Sequence, residues 1–210
     1  MIFLLVRYQS VSLHMRNAIN TKNIILKESA NLFNTQGYKA TSISDITKAT
    51  GLTKGAIYRH FDSKKDLEQQ ALQSLAKLMF TELGETIQKS PTFQTKMEAT
   101  FSFFEKYMHT PLYEGGCPLM NAAIEADDSN PELRMQTYNM LARLKASLHK
   151  IVENGILHNQ VKKDTDPAFY STIFIATLEG GIMMSKLEKT TDSILKSITH
   201  LRTLVKTILV

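Results

Sequence analysis

The sequence predicts an all-α fold of about nine helices, on three observations. Apolar residues recur at helical spacing, with no sustained period-two alternation. No Asn-Gly or Asp-Gly turn stands between two alternating runs, so no hairpin is signalled. Prolines follow cap-forming residues at Ser90-Pro91, Asn130-Pro131 and Asp166-Pro167, and once a cysteine at Cys117-Pro118. Proline fits a first helical turn because its missing N–H would find no partner there anyway. The expected helices are 22–36, 42–49, 54–61, 64–88, 92–109, 118–126, 131–157, 167–187 and 191–209.

With 210 residues, 43% of them apolar, the chain can bury a sizeable core, as one domain or as a small domain docked on a larger one. Its single cysteine excludes an intrachain disulfide framework and any multi-cysteine metal site, and fits a reducing cytoplasm. Net charge is +5, and its placement is informative. Residues 15–80 carry ten Lys/Arg against five acids, whereas residues 81–210 are nearly balanced. A basic unit joined to a larger, near-neutral one points to a nucleic-acid reader carried by a second domain.

The N-terminal run Ile2 to Val6 is too short for a signal-peptide core or a membrane span. Residues 1–14 are read as a disordered leader, or as sequence upstream of a true start at Met15. Ala168 to Ser185 is the other membrane candidate, but it holds Glu179 and Gly180-Gly181 near its centre. A helix buried between protein surfaces explains that composition better, so no membrane association is expected.

Three short helices lead, each needing one packed apolar face because short helices gain little from propensity. Ile25, Leu32 and Phe33 supply it in the first, Ile43 and Ile46 in the second, Ile57 and Phe61 in the third. Gly37 closes the first helix, where positive φ is needed. Residues 41–61 read TSISDITKATGLTKGAIYRHF. Ser42 and Asp45 form a capping box, Thr50-Gly51-Leu52 a tight connection, and Thr53 caps the next helix. Short helix, Gly-containing turn, short helix is helix-turn-helix geometry. Ile57 and Phe61 face inward, leaving Lys54, Gly55, Tyr58 and Arg59 outward, a face suited to phosphates and base edges. The alternative is an ordinary αα-corner with solvated Lys and Arg. The basic excess, Gly37-Tyr38 and the Ser63-Lys64-Lys65-Asp66 start of a fourth helix favour DNA.

Residues 22–67 resemble the N-terminal DNA-binding domain of the TetR family of transcriptional regulators. The resemblance rests on Ile25-Leu26, Leu32-Phe33, Gly37-Tyr38, Ala40-Thr41-Ser42-Ile43, Asp45-Ile46, Ala49, Gly51-Leu52, Lys54 to Phe61, Ser63-Lys64 and Asp66-Leu67. Glu28, Ser29 and Thr47 depart from the usual pattern. The resemblance implies a homodimer whose third helices enter the major groove of a near-palindromic double-stranded operator. It also implies two domains, 15–64 for DNA and 65–210 for dimerisation and an effector. Thr41, Ser42, Thr53, Lys54, Tyr58, His60 and Lys64 match phosphate-contacting positions. Gly55, Ala56 and Arg59 match positions near base edges. His60 has no second ligand at useful spacing, so no metal site is read there.

In the C-terminal region, helix 167–187 carries Phe169, Ile173, Ala176, Gly180 and Met184 along one stripe, and Phe174, Leu178 and Gly181 along another. Helix 191–209 lines up Ile194, Ile198, Leu201, Val205 and Ile208. Two such helices from each subunit would form a four-helix dimer interface, the alternative being an intrachain core. Phe101, Phe103, Phe104, Tyr107, Met108, Met120, Tyr138 and Met140 crowd the middle, as core packing or as the wall of an apolar ligand cavity. The candidate ligand set is Phe101, Phe104, Tyr107, Met108, Cys117, Met120 and Tyr138. Glu125, Asp127 and Asp128 are read as solvated.

Gly115 to Asn121 resembles a Gly-Cys segment in one branch of the family, which includes regulators responding to electrophiles. Cys117 at a helix N-cap would favour thiolate; the alternative is a small buried thiol. The function expected is a cytoplasmic repressor released by an apolar or electrophilic small molecule, needing no cofactor or metal. The alternative is an effector-independent architectural or recruiting protein. No nucleophile–base pair, phosphate loop or HExxH motif supports an enzyme.

Overall fold

The computed structural model describes residues 2–126 and 130–210, with side chains from Ala18 onward. Among these residues the helices are α1 (Ile2–Gln36), α2 (Ile43–Thr50), α3 (Lys54–Tyr58), α4 (Lys64–Gln88), α5 (Phe93–His109), α6 (Pro118–Glu125), α7 (Pro131–Leu157), α8 (Pro167–Glu188) and α9 (Asp192–Ile208). Asp127 and Asp128 lie outside the described residues.

Most boundaries fall within a residue or two of those expected from periodicity. The exceptions have local causes. Helix α1 starts at Ile2 rather than at residue 22, since no Gly or Pro interrupts the chain before Gly37. The leader read into residues 1–14 falls on residues whose side chains are not described. Helix α3 stops at Tyr58, three residues early, because Arg59 and His60 turn the chain to bring Phe61 into the core. Helix α5 is capped by Thr92, whose side chain exchanges hydrogen bonds with Thr95, so Pro91 lies outside the helix.

The first three helices pack Ile25, Phe33, Ile46, Ile57 and Phe61 together with Tyr38, which stacks on Phe33 at 5.2 Å between ring centroids. Helix α4 belongs to both units. Its N-terminal Leu67 and Ala71 join this core, and Met79 and Leu83 join the next one. At 25 residues it is about 37 Å long, so it spans the two cores as one rigid body.

The larger core is built by α5, α7, α8 and α9 around Met97, Phe101, Val152, Phe174, Leu178 and Ile182. Helix α8 is long and apolar enough to cross a membrane by length and composition. Its Phe174, Leu178 and Gly181 face this core, whereas Phe169, Ala176 and Met184 are exposed. At Gly181 an added Cβ would come within 2.8 Å of Ser197 Oγ, so the glycine lets α9 close on α8.

Helix α9 corrects the sequence reading. Ile194, Ile198, Leu201, Val205 and Ile208, expected at a dimer interface, are all buried within the single chain. Five apolar residues on one stripe satisfy either burial equally well; the packing of α9 on α8 and α5 decides. Arg202 fixes the same helix from its other side, with Nη1 2.8 Å from Glu105 and Nε 3.0 Å from Glu98. Replacing Ile198 by alanine should therefore lower stability by about 2–5 kcal/mol, the cost of a buried cavity. Urea denaturation at fixed protein concentration checks this, and an unchanged midpoint would place Ile198 outside the core.

Candidate nucleic-acid interface and effector cavity

The reading unit is organised by caps. Ser42 Oγ accepts from Asp45 N–H, and the Asp45 carboxylate accepts from the Ser42 amide at 2.9 Å, closing the box at the start of α2. The Ser42 hydroxyl, which donates to the same carboxylate, and then the Ser42 amide hold the Asp45 carboxyl below its usual range. Gly51 closes α2 in the left-handed conformation, and Thr53 Oγ1 accepts from the Ala56 amide to open α3. Ile57 is fully buried, which turns the opposite side of this short helix outward. Lys54, Gly55, Tyr58 and Arg59 are exposed there, Ala56 is half-buried at the edge, and Lys54 Nζ lies 5.8 Å from the Tyr58 ring centroid. Thr53 is exposed, and its hydroxyl oxygen accepts from the Ala56 amide.

Three residues matched to phosphate-contacting positions have side-chain partners within the chain. Thr41 is fully buried, and its hydroxyl donates to the Gly37 carbonyl at 2.7 Å, so its side chain cannot meet a phosphate. The threonine is needed where the chain turns between α1 and α2. Ser42 is exposed, but its hydroxyl donates to Asp45 at 2.6 Å. Lys64 donates to the Tyr38 carbonyl at 2.7 Å and pairs with Glu68 at 3.2 Å, tying α4 to the turn after α1. His60 is half-buried, and Lys48 is an exposed cation on α2 that only the charge count had registered.

A set of buried polar bonds joins this unit to α6. Asn34, on the last turn of α1, donates to the carbonyls of Glu114 and Gly116, the latter at 2.9 Å. Asn121 on α6 donates to Asn34 Oδ1 at 3.0 Å and to the Gly115 carbonyl at 2.9 Å. One turn later Glu125 accepts from the Lys39 amide at 3.0 Å. Its carboxylate lies over Gly37, whose φ is +97°, and an added Cβ there would stand 2.5 Å from Glu125 Oε1. Sequence reasoning gives Asn34 and Asn121 no role and reads Glu125 as solvated; the bond from the Lys39 amide corrects that reading. An asparagine in a helix signals a cap or a solvated face, and its long-range partner is invisible.

This arrangement can be compared with known proteins. Residues 25–71 match the family described as bacterial regulatory proteins, tetR family, and residues 94–201 match the tetracyclin repressor-like C-terminal domain. The chain belongs to the TetR family of transcriptional regulators. It is 24% identical over 167 residues to the HTH-type transcriptional repressor DhaR of Mycobacterium sp. (strain GP1), covering 78% of this chain and 81% of the relative. It is 29% identical over 174 residues to an HTH-type regulator of Lactococcus lactis, covering 81% of this chain and 85% of the relative. Among solved structures, a TetR transcriptional regulator of Chloroflexus aurantiacus superposes with a TM-score of 0.88 at 32% identity, over 92% of this chain and 98% of that one.

The C-terminal domain of this TetR-family chain does not gather the predicted ligand residues into one site. Phe104 lines a small enclosed cavity of about 30 Å³ with Thr100, Leu148 and Leu178. Met120 and Tyr138 line a separate groove of about 420 Å³ between α6, α7 and α8, with Tyr138 63% exposed at its rim. Tyr107 borders a third space near Phe103 and Lys106. Phe101 is core packing, edge-on to Phe174 at 6.2 Å, and Met108 is half-buried against the core. Ile175 and Glu179 line both the enclosed cavity and the groove.

Cys117 does occupy the N-cap of α6, with Pro118 following, but its sulfur makes no capping hydrogen bond. The thiol is buried and donates to Glu179 Oε1 at 3.1 Å. Burial, with the neighbouring carboxylate adding to it, pushes the thiol well above its ordinary range; the amides of Leu119 and Met120 pull the other way and lose. The expectation of a thiolate is thereby reversed, since a helix terminus contributes less than desolvation costs here. Iodoacetamide at pH 8 should accordingly modify Cys117 in the native protein more slowly than free cysteine. A faster native rate, followed by mass spectrometry, would restore the thiolate reading.

Proposed function

We propose that this chain is a cytoplasmic repressor that holds a near-palindromic operator as a homodimer and leaves it when an apolar small molecule occupies the C-terminal domain. The observation that carries this reading is the outward face of α3. Lys54, Tyr58 and Arg59 are exposed, and among the described residues neither Lys54 nor Arg59 has an ion-pair partner. Arg59 beside Gly55 suits bidentate reading of a guanine edge, while Lys54, Thr53 and Tyr58 suit phosphates. The names of relatives, a repressor among them, agree in kind.

Dimerisation is supported by the face of α8 left without a partner in one chain. Phe169, Ala176, Met183, Met184 and Leu187 are exposed along it. Burying such a stripe against its own symmetry mate makes an isologous interface, and spaces two α3 helices for two half-sites. The buried thiol favours an apolar effector over an electrophilic one. Residues 15–64 serve as the reading unit and 65–210 as the effector and dimer unit, with α4 rooted in both.

An operator selected from a randomised duplex pool should contain two inverted half-sites. Lys54→Ala should reduce the log–log salt slope of binding by about 1.8, the loss of one phosphate contact in each of two half-sites. Arg59→Ala should cost about 1–3 kcal/mol per half-site and relax preference at one position in each. Fluorescence anisotropy at several salt concentrations measures both, and wild-type behaviour in both variants would sink the assignment of this face.

Ala176→Glu places a charge on the outward stripe without touching the intrachain core. Sedimentation should show a folded monomer for this variant and a dimer for the wild type at micromolar concentration. A dimeric variant would move the interface elsewhere.

A further inference from the structure

We propose that Glu179 is the polar anchor of the effector site, and that the effector is an apolar molecule carrying one protonated amine. This deepens, and rests on, the reading of an effector-released repressor.

Glu179 lies mid-way along α8, the most apolar helix of the fold, where a carboxylate contributes nothing to packing. Its Oε1 accepts from the Cys117 thiol at 3.1 Å, whereas Oε2 is buried and, among the described residues, has no hydrogen-bond partner. A buried acceptor without a partner is destabilising, and such groups in native proteins call for an explanation. Among the described residues no cation pairs with Glu179, and burial holds its carboxyl above the usual range. Both the loose oxygen and the missing countercharge would be supplied by one ammonium group.

Position adds the second line. Glu179 borders the groove lined by Leu119, Met120, Leu141 and Ile175, and with Ile175 also borders the enclosed cavity behind it. A groove of about 420 Å³ with mostly apolar walls and a single inner acid is the shape of a site for a small amphipathic molecule. Arg134 stands at the rim, exposed, where solvent screens its charge. An amine binding at Glu179 has a route to the DNA unit. The same carboxylate holds Cys117, Cys117 begins α6, and α6 is fastened to α1 through Asn121 and Asn34.

The test uses three probes of one shape on the full-length protein: 4-phenylbutylamine, 4-phenylbutanol and 4-phenylbutyrate, titrated calorimetrically at pH 7. The amine should bind at least about tenfold more tightly than the alcohol or the carboxylate, as expected for a charge-assisted bond in a dry site. Glu179→Gln, which keeps the shape and an acceptor for Cys117, should erase that preference. Equal affinities for the three probes on the wild type, or an undiminished amine preference in Glu179→Gln, overturns the proposal; the wild-type series decides even where the variant fails to fold. Release of the selected operator is read separately by anisotropy. Amine binding through Glu179 with the operator retained supports the anchor and defeats the repressor-release reading. Release by the alcohol as effective as by the amine, at equal affinity, keeps that reading and overturns the anchor.

Discussion

The amide pair Asn34–Asn121 is the constraint on which the rest of the arrangement depends. Asn34 is almost fully buried, and its side chain is shared between the loop before α6 and α6 itself. Buried amides of this kind tolerate few geometries, because each lost bond leaves a desolvated donor or acceptor. The end of α1 therefore cannot move against α6 by small amounts without breaking several bonds together. Gly37 and Glu125 repeat the fastening one turn further on. The DNA-binding unit is thus held to the C-terminal unit at two places: along α4, through apolar packing, and at α6, through polar bonds. Apolar contacts slide with little penalty, whereas directed bonds break together.

The second organising feature is the composition of α8. One stripe completes the intrachain core with Phe174, Leu178 and Ile182, and another is exposed with Phe169, Ala176 and Met184. Glu179 lies between these demands with one oxygen satisfied by a thiol. In a single chain the other oxygen is buried and, among the described residues, unpartnered, and this is the observation behind the amine site proposed above. Cys117, which in isolation looks like a reactive group at a helix start, becomes in this setting the donor that keeps that carboxylate in place.

Where sequence and structure part company, the causes are specific. The interior stripe of α9 was assigned to a dimer interface because periodicity shows that a face is apolar, not which surface covers it. Thr41 is matched to a phosphate-contacting position by the family resemblance alone, and a motif match does not show that its hydroxyl turns back to Gly37. Aromatic and Met residues between Phe101 and Tyr138 are read as core packing or as a cavity wall, and the structure distributes them over three spaces and the core.

The sequence by itself determined the helices, the helix-turn-helix at 42–58 and the outward set Lys54, Gly55, Tyr58 and Arg59. Those follow from local rules: caps at Ser42 and Thr53, a left-handed turn at Gly51, and burial of Ile57 within one turn of the residues it displaces. Only the tertiary structure decided that Asn34 meets Asn121, that Cys117 meets Glu179 and that α9 packs inward. These partners stand tens of residues apart, and their pairing is set by how α4, α6 and α8 pack in three dimensions, which no spacing along the chain encodes.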